Sequence, residues 1–250
     1  MRRLVDSHAH MESFSDPGTI TRESVEAGVD AVICVGSDIE SSITALELAK
    51  SFPEFYYPCI GVHPAEVLKT KLDEAKEFVS SRLSECVALG EVGLDYFYDF
   101  ARPEEVRSLM RDVFRGLLGL AAEEGVPASV HSRSAYEDAL ELVMEAEVEA
   151  VFHWYDGPIH TLHKLLDAGF YVSATPAVKY SKGVQRVMRG APLERILVET
   201  DSPVFLRSLE RNSRPMDVLM VVEALAELKD LDAEDVALAV TRNTERLFGV

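Results

Sequence analysis

Two histidines separated by a single residue stand near the head of the chain, in Asp6-Ser7-His8-Ala9-His10. The protein has only seven histidines. In a strand, residues two apart share a face, so this spacing could aim two imidazoles at one point, and Asp6 shares that face by the same count. Taken alone the string is weak, because two exposed histidines at a strand edge read the same way. More chemistry follows at intervals: His63 in IGVHP, Glu91 in LGEVGLDY, His131 in ASVHSR, His153 in VFHW and Asp201 in LVETDSP. Each of these side chains is a metal ligand or a proton carrier, and each stands where an apolar run gives way to a loop. A carboxylate buried behind such a run is costly without a cation, so Glu91 and Asp201 call for positive charge. His8, His10, His131 and His153 with these two acids are enough donors for two metals if one carboxylate is shared. His160 and His163, three apart on an expected helix, read as a solvated face.

Something must bring these groups together. Apolar, β-branched runs predict strands over 3–8, 29–36, 55–62, 86–92, 126–131, 149–153, 169–175 and 194–200. Amphipathic stretches predict helices over 19–28, 38–51, 71–83, 103–125, 134–147, 158–168, 179–190, 214–229 and 232–248. Strands without clean polar alternation suit a parallel sheet covered on its outside. Eight strand–helix units in 250 residues are the size of a (β/α)8 TIM barrel, expected here as a single α/β domain over residues 1–250. In that fold the C-terminal ends of the strands form the mouth where active sites lie, and the histidines and acids above all fall there. A doubly wound open sheet is the alternative, but no glycine-rich phosphate fingerprint follows the first strand. Thr19 and Glu23 are expected to cap the first helix. Pro103-Glu104-Glu105 reads as a helix first turn, and Asp232 and Gly249 bound the last helix. The longest irregular piece is 202–214.

Composition narrows the function. The hydrophobic and charged fractions, 47% and 27%, are those of a soluble globular protein. No apolar run approaches the ~20 residues of a membrane span, and no apolar signal region follows the N-terminal arginines, so the expected location is cytoplasmic, without a membrane partner. No obligate protein partner is expected. The net charge of −18 repels polyphosphate over the general surface, which argues against a non-specific DNA binder with a basic face. A phosphate-bearing substrate would need a local source of positive charge. Cys34, Cys59 and Cys86 lie in apolar runs, are odd in number and lack metal-site spacing, and read as buried, inert thiols.

Taken in order, DSHAH, GVHP, GEVGLDY, VHSR, FHW and ETDSP, with a closing TxNxxRLF string from Thr241 to Phe248, resemble the TatD family of metal-dependent deoxyribonucleases within the amidohydrolase superfamily. The resemblance spans about residues 4–248. It implies two divalent metal ions, Mg, Mn or Zn. One would be held by His8, His10, Glu91 and Asp201, the other by Glu91, His131 and His153, so that Glu91 bridges. It also implies that Asp201 accepts or orients the proton of an attacking water, and that DNA is the substrate, held mainly through the metals, with a 3′ exonuclease on single strands as the expected mode. His63 and Arg133 are expected to contact the phosphate. Asp95 is expected to support a ligand, and Asp6 to fix a ligand imidazole. Arg207, Arg211 and Arg214 read as a solvated loop paired with nearby acids rather than as a DNA contact. Two departures touch the substrate end: Trp154 stands where a small residue or Cys is usual, and RNSRP carries one residue more between Asn212 and Pro215. A hydrolase of the same superfamily acting on an amide or lactone of a non-nucleic small molecule is the alternative. A metal-binding scaffold that has lost catalysis is disfavoured because every ligand position is filled.

Overall fold

In a computed structural model that describes residues 3–250, eight strands pair in chain order, each parallel to the next. They are β1 (Val5–Ala9), β2 (Ala31–Val35), β3 (Tyr56–Ile60), β4 (Ala88–Gly93), β5 (Ala128–His131), β6 (Ala150–Phe152), β7 (Tyr171–Ala174) and β8 (Ile196–Val198). The helices that follow them are α1 (Pro17–Ala27), α2 (Ile39–Ser51), α3 (Leu72–Arg82), α4 (Glu104–Glu124), α5 (Tyr136–Ala146), α6 (Ile159–Asp167), α7 (Lys182–Gly190) and α8 (Val218–Lys229), with α9 (Ala233–Phe248) closing the chain. This is the (β/α)8 barrel that the alternation predicts. No helix among the described residues is long and apolar enough to cross a membrane.

Backbone bonds close the circle at the mouth: the Asp201 amide donates to the His8 carbonyl at 3.0 Å and the His10 amide to the Ser202 carbonyl at 2.7 Å. Just below, Asp6 accepts from the Thr200 amide at 2.9 Å and its hydroxyl at 2.5 Å. Asp6 therefore fastens β1 to the end of β8 and bonds no imidazole, contrary to expectation. Burial lifts its carboxyl well above the ordinary carboxylate range, although the bonds from Thr200 and the His8 amide act the other way.

Two apolar layers alternate along the strands. Val32, Cys34, Val130, Phe152 and Val172 pack outward against the helices with α4's Met110, Phe114, Leu117 and Leu118, residues spaced three and four apart as one helix face requires. Val5, Ile33, Cys59, Ala88, Val151, Tyr171 and Leu197 form a second cluster inside, which Leu247 and Phe248 join. Stepping by two from this inner plug toward the mouth leads from Val151 to His153, from Leu197 through Glu199 to Asp201, and from Cys59 to His63. On β1 and β4 the count is odd, Val5 to His8 and Ala88 to Glu91, and these two strands carry register shifts in their pairing. A bulge is the device that re-aims a side chain in this way. Asp6 lies in register with Val32, on the helix-facing side, and so does not share a face with His8.

Details differ from the sequence expectation. α1 begins at Pro17 and is capped by Asp16, which accepts from the Thr19 amide; Thr19 lies inside the first turn. Pro103 is the cap residue before α4, with Glu104 and Glu105 in the first turn. Asp232 and Gly249 bound α9 as expected. The stretch 202–214 contains a small antiparallel hairpin, β9 (Phe205–Leu206) with β10 (Arg211–Asn212). Cys34 and Cys59 are buried and Cys86 is half-buried.

The TxNxxRLF string ties the barrel's lower end. Thr241 donates to the Arg3 carbonyl at 2.8 Å, and the Asn243 amide donates to the carbonyls of Leu193 and Ile196, each at 2.8 Å. Asn243→Leu keeps the volume and removes both donations; the Leu193 carbonyl keeps its bond from the Ile196 amide, while the buried Ile196 carbonyl loses its side-chain donor. It is expected to lower stability by about 2 kcal/mol, seen as a fall in the urea midpoint at an unchanged slope; an unmoved midpoint would contradict this accounting.

Candidate metal centre

Five strands deliver the donors. His8 lies in β1 and His10 one residue past it, Glu91 lies in β4, His131 ends β5, and His153 follows β6 directly. Asp201 stands three residues beyond β8 with a left-handed φ of 47°, held by its bond to His8. Gly93 matters for Glu91: with φ at 143°, a Cβ there would lie 1.9 Å from the His131 carbonyl oxygen, so only glycine lets β4 pass this close to β5.

The two oxygens of Glu91 face different partners. Its Oε1 lies 2.8 Å from His131 Nδ1 and 2.8 Å from His153 Nε2, and those two nitrogens are 3.2 Å apart. Its Oε2 lies 3.4 Å from His10 Nε2 and 3.6 Å from His8 Nε2. Asp201 Oδ1 is 3.4 Å from the same His10 nitrogen and 3.7 Å from that of His8, and the two nitrogens are 3.2 Å apart. Donors bound at about 2.1 Å to one cation lie roughly 3.0–3.5 Å apart, so the spacings fit shared ions. Overlapping triads of potential ligands occur here: His8, His153 and Asp201; His8, His10 and Glu91; His63, Glu91 and His131.

Outer contacts decide which ring nitrogens are free. His10 Nδ1 meets the Val35 carbonyl at 3.1 Å, so it carries the proton and Nε2 offers a lone pair. His131 Nε2 meets Asp95 Oδ2 at 2.8 Å, which leaves Nδ1 as the lone pair. That lone pair faces the Glu91 carboxylate, acceptor against acceptor, unless positive charge lies between them. The acids create this demand. Burial opposes a charged imidazole at His10, yet the bonds to Asp201 and Glu91 raise its pKa well above ordinary. Bonds to Asp95 and Glu91 likewise raise that of His131, and the charges of Glu91 and Glu199 raise that of His153. Burial would lift Glu91, but the His63 and His153 charges and the bonds from His10 and His131 hold it well below the carboxylate range.

His63 is wired the other way. Its Nδ1 accepts from the Ala65 amide at 3.1 Å, and burial brings its pKa down to about 4. The neutral ring therefore carries its proton on Nε2, 3.5 Å from Glu91 Oε1, and presents a donor there rather than a lone pair. Arg133 donates from Nε to Asp95 Oδ2 at 2.8 Å and lies 4.5 and 4.6 Å over the Phe97 and Tyr98 rings. His10, His63, Glu91, His131, Arg133, His153 and Asp201 line one cavity of about 530 Å³ with Trp154 at its side; His8 lies buried beneath. His160 sits apart, exposed and bonded to Glu137.

Glu199 was not anticipated. Fully buried, it accepts from the Trp154 amide at 3.0 Å and lies 3.4 Å from His153 Nδ1. That is ion-pair distance; among the described residues neither His153 Nδ1 nor the second oxygen, Glu199 Oε2, has a hydrogen-bond partner. Its position two residues before Asp201, in ETD, is the signal that could have found it.

A family model described as TatD related DNase matches residues 5–249. The chain belongs to this family. Among TatD relatives, the metal-dependent hydrolase YabD of Bacillus subtilis is 31% identical over 258 residues, covering 99% of each protein. Human deoxyribonuclease TATDN3 is 29% identical over 98% of this chain and 94% of its own length. The crystal structure of YJJV, a TatD homologue from Escherichia coli K12, shares the fold with a TM-score of 0.89 at 24% identity, over 99% of this chain and 98% of that one. As a TatD protein the chain is a metal-dependent hydrolase, and its histidines and acids form candidate groups for metal.

In this TatD protein Asp95 serves two groups through one oxygen, the His131 ring and the Arg133 guanidinium. Asp95→Asn removes the charge and one of the two acceptor oxygens, so the Phe97 amide on one side and the His131–Arg133 pair on the other can no longer both be served. It is expected to weaken metal binding about 10- to 100-fold in a calorimetric titration, with the thermal transition little changed; undiminished affinity would show that the His131 tautomer is set by something else.

Proposed function

We propose that this chain hydrolyses phosphodiester bonds of DNA with two divalent ions, Mg, Mn or Zn. His8, His10, Glu91 and Asp201 would hold one, and Glu91, His131 and His153 the other. The observation that carries this reading is that the two oxygens of Glu91 each face a separate pair of imidazole nitrogens at coordination spacing. Bound there, the metals supply Lewis acidity toward a phosphoryl oxygen and lower the pKa of a nearby water.

The chain's own groups do the rest. Asp201 Oδ1, at the cavity edge, accepts the proton of the attacking water. The two Nη groups of Arg133 match a phosphate in bidentate fashion, and the stack on Phe97 and Tyr98 holds them in place. His63 Nε2 donates to a phosphoryl oxygen. A cavity of about 530 Å³ takes one nucleotide, which a single-strand end delivers without melting base pairs; the 3′ exonuclease mode on single strands is what the family resemblance implies. The same reading places the protein in the cytoplasm, where its unpaired cysteines stay reduced.

The test is purified protein on 3′-labelled single-stranded DNA with Mg²⁺, Mn²⁺ or Zn²⁺ and with EDTA, beside a panel of amides and lactones. Release of labelled nucleotide that EDTA abolishes is the expected result; turnover of the panel alone would favour the small-molecule reading. Glu91→Ala is expected to empty both metal positions and reduce activity at least about 10³-fold; metal content equal to wild type would refute the bridge. Arg133→Ala is expected to raise KM for DNA about tenfold with metal content unchanged, and wild-type kinetics in that variant would remove Arg133 from the site.

A further inference from the structure

A second hollow, of about 730 Å³, opens beside the first. The loop after β8 connects them: Pro203 and Val204 line the metal cavity, while Phe205 and Arg207 line the neighbour. Lys179 and Tyr180 join from the loop after β7, and Met220 from α8 completes the lining. Both loops belong to the barrel mouth.

Two large rings stand bare there, Tyr180 at 65% and Phe205 at 58% exposure, and hydrolysis at the metals has no use for either. The backbone carrying Phe205 is pinned, since the Ser213 amide donates to the Val204 carbonyl at 2.7 Å and the Val204 amide donates to the Ser213 hydroxyl at 2.8 Å. The loop's three arginines divide. Arg211 is held by Asp217 through two bonds of 2.8 Å, and Arg214 is held by Glu23. Arg207 has no ion pair among the described residues, and neither has Lys179. On a chain of net charge −18, two free cations beside two bare rings complement a polyanion that carries flat bases.

We propose that this hollow is a second nucleotide subsite. It takes the base next to the scissile position against Tyr180 and Phe205, and that nucleotide's phosphate on Lys179 and Arg207. The proposal rests on the nuclease reading and adds to it a polynucleotide, since a lone small molecule fills only the metal cavity.

The experiment compares wild type, the double variant Tyr180→Ala/Phe205→Ala and the single variant Arg207→Glu, all with Mn²⁺. The substrates are a thymidine dinucleotide, a thymidine octanucleotide and bis(p-nitrophenyl) phosphate, which has no base. All three positions are exposed, and a thermal melt checks that each variant is folded. The ring variant is expected to raise KM for the octanucleotide about tenfold while hydrolysis of bis(p-nitrophenyl) phosphate stays at the wild-type rate. Arg207→Glu is expected to raise the octanucleotide KM and flatten its dependence on salt. Octanucleotide KM values equal to wild type in both variants overturn the subsite and leave the nuclease reading standing. A wild type that hydrolyses bis(p-nitrophenyl) phosphate and neither oligonucleotide overturns the nuclease reading itself.

Discussion

The mouth of this barrel is organised round one buried carboxylate. Removing an ionised carboxylate from water is worth several kcal/mol against folding even after the surroundings relax, and Glu91 is only 3% exposed. Asp6, equally buried, shows what happens when the neighbours are a hydroxyl and backbone amides: burial wins and the carboxyl is pushed up. At Glu91 the neighbours are imidazoles, and the outcome reverses. The two acids differ in what faces them rather than in depth, and that difference separates a strand clasp from a centre that demands cations.

Imidazoles answer that demand only if the right nitrogen points inward. The Val35 carbonyl and Asp95 take the outer protons of His10 and His131 and turn their lone pairs toward Glu91. The Ala65 amide does the opposite to His63, so a ring of the same type, about as close to Glu91 as His10 is, faces it as a donor. Residue type alone cannot distinguish these roles; the partner on the far side of the ring does. Asp95 extends this logic outward, because its Oδ2 also holds Arg133 and so links the orientation of a ring that faces Glu91 to that of a guanidinium at the mouth.

Much of this was legible in the sequence. Period-two spacing along β6 and β8 places His153 and Asp201 above the apolar plug, and the order of short motifs along the chain carries the barrel. Asp6 was misread for a physical reason: the same count was applied across β1, whose bulge shifts the parity after Asp6, and no residue in VDSHAH marks a bulge. Glu199, inside the predicted strand 194–200, was passed over because Asp201, two residues on in the same ETDSP motif, took the ligand role. The hairpin β9–β10 is two residues a side, too short for any periodicity to show. His63's role as a donor was beyond reach, since it depends on the amide of Ala65 folding back in the turn that follows.

The departures from the family pattern fall where the fold can absorb them. β1, β4, β5, β6 and β8 carry the inward donors, and their positions are fixed by barrel register. Trp154 and the longer RNSRP stretch lie in the connecting loops. The extra length after Asn212 is taken up in the hairpin's return, where Ser213 is pinned to Val204 and Arg214 turns out to Glu23. Loops can therefore vary around a centre set by strands. On a chain of net charge −18, Arg133 at the central cavity and Lys179 and Arg207 at the neighbouring hollow are local positive charge carried by these variable loops.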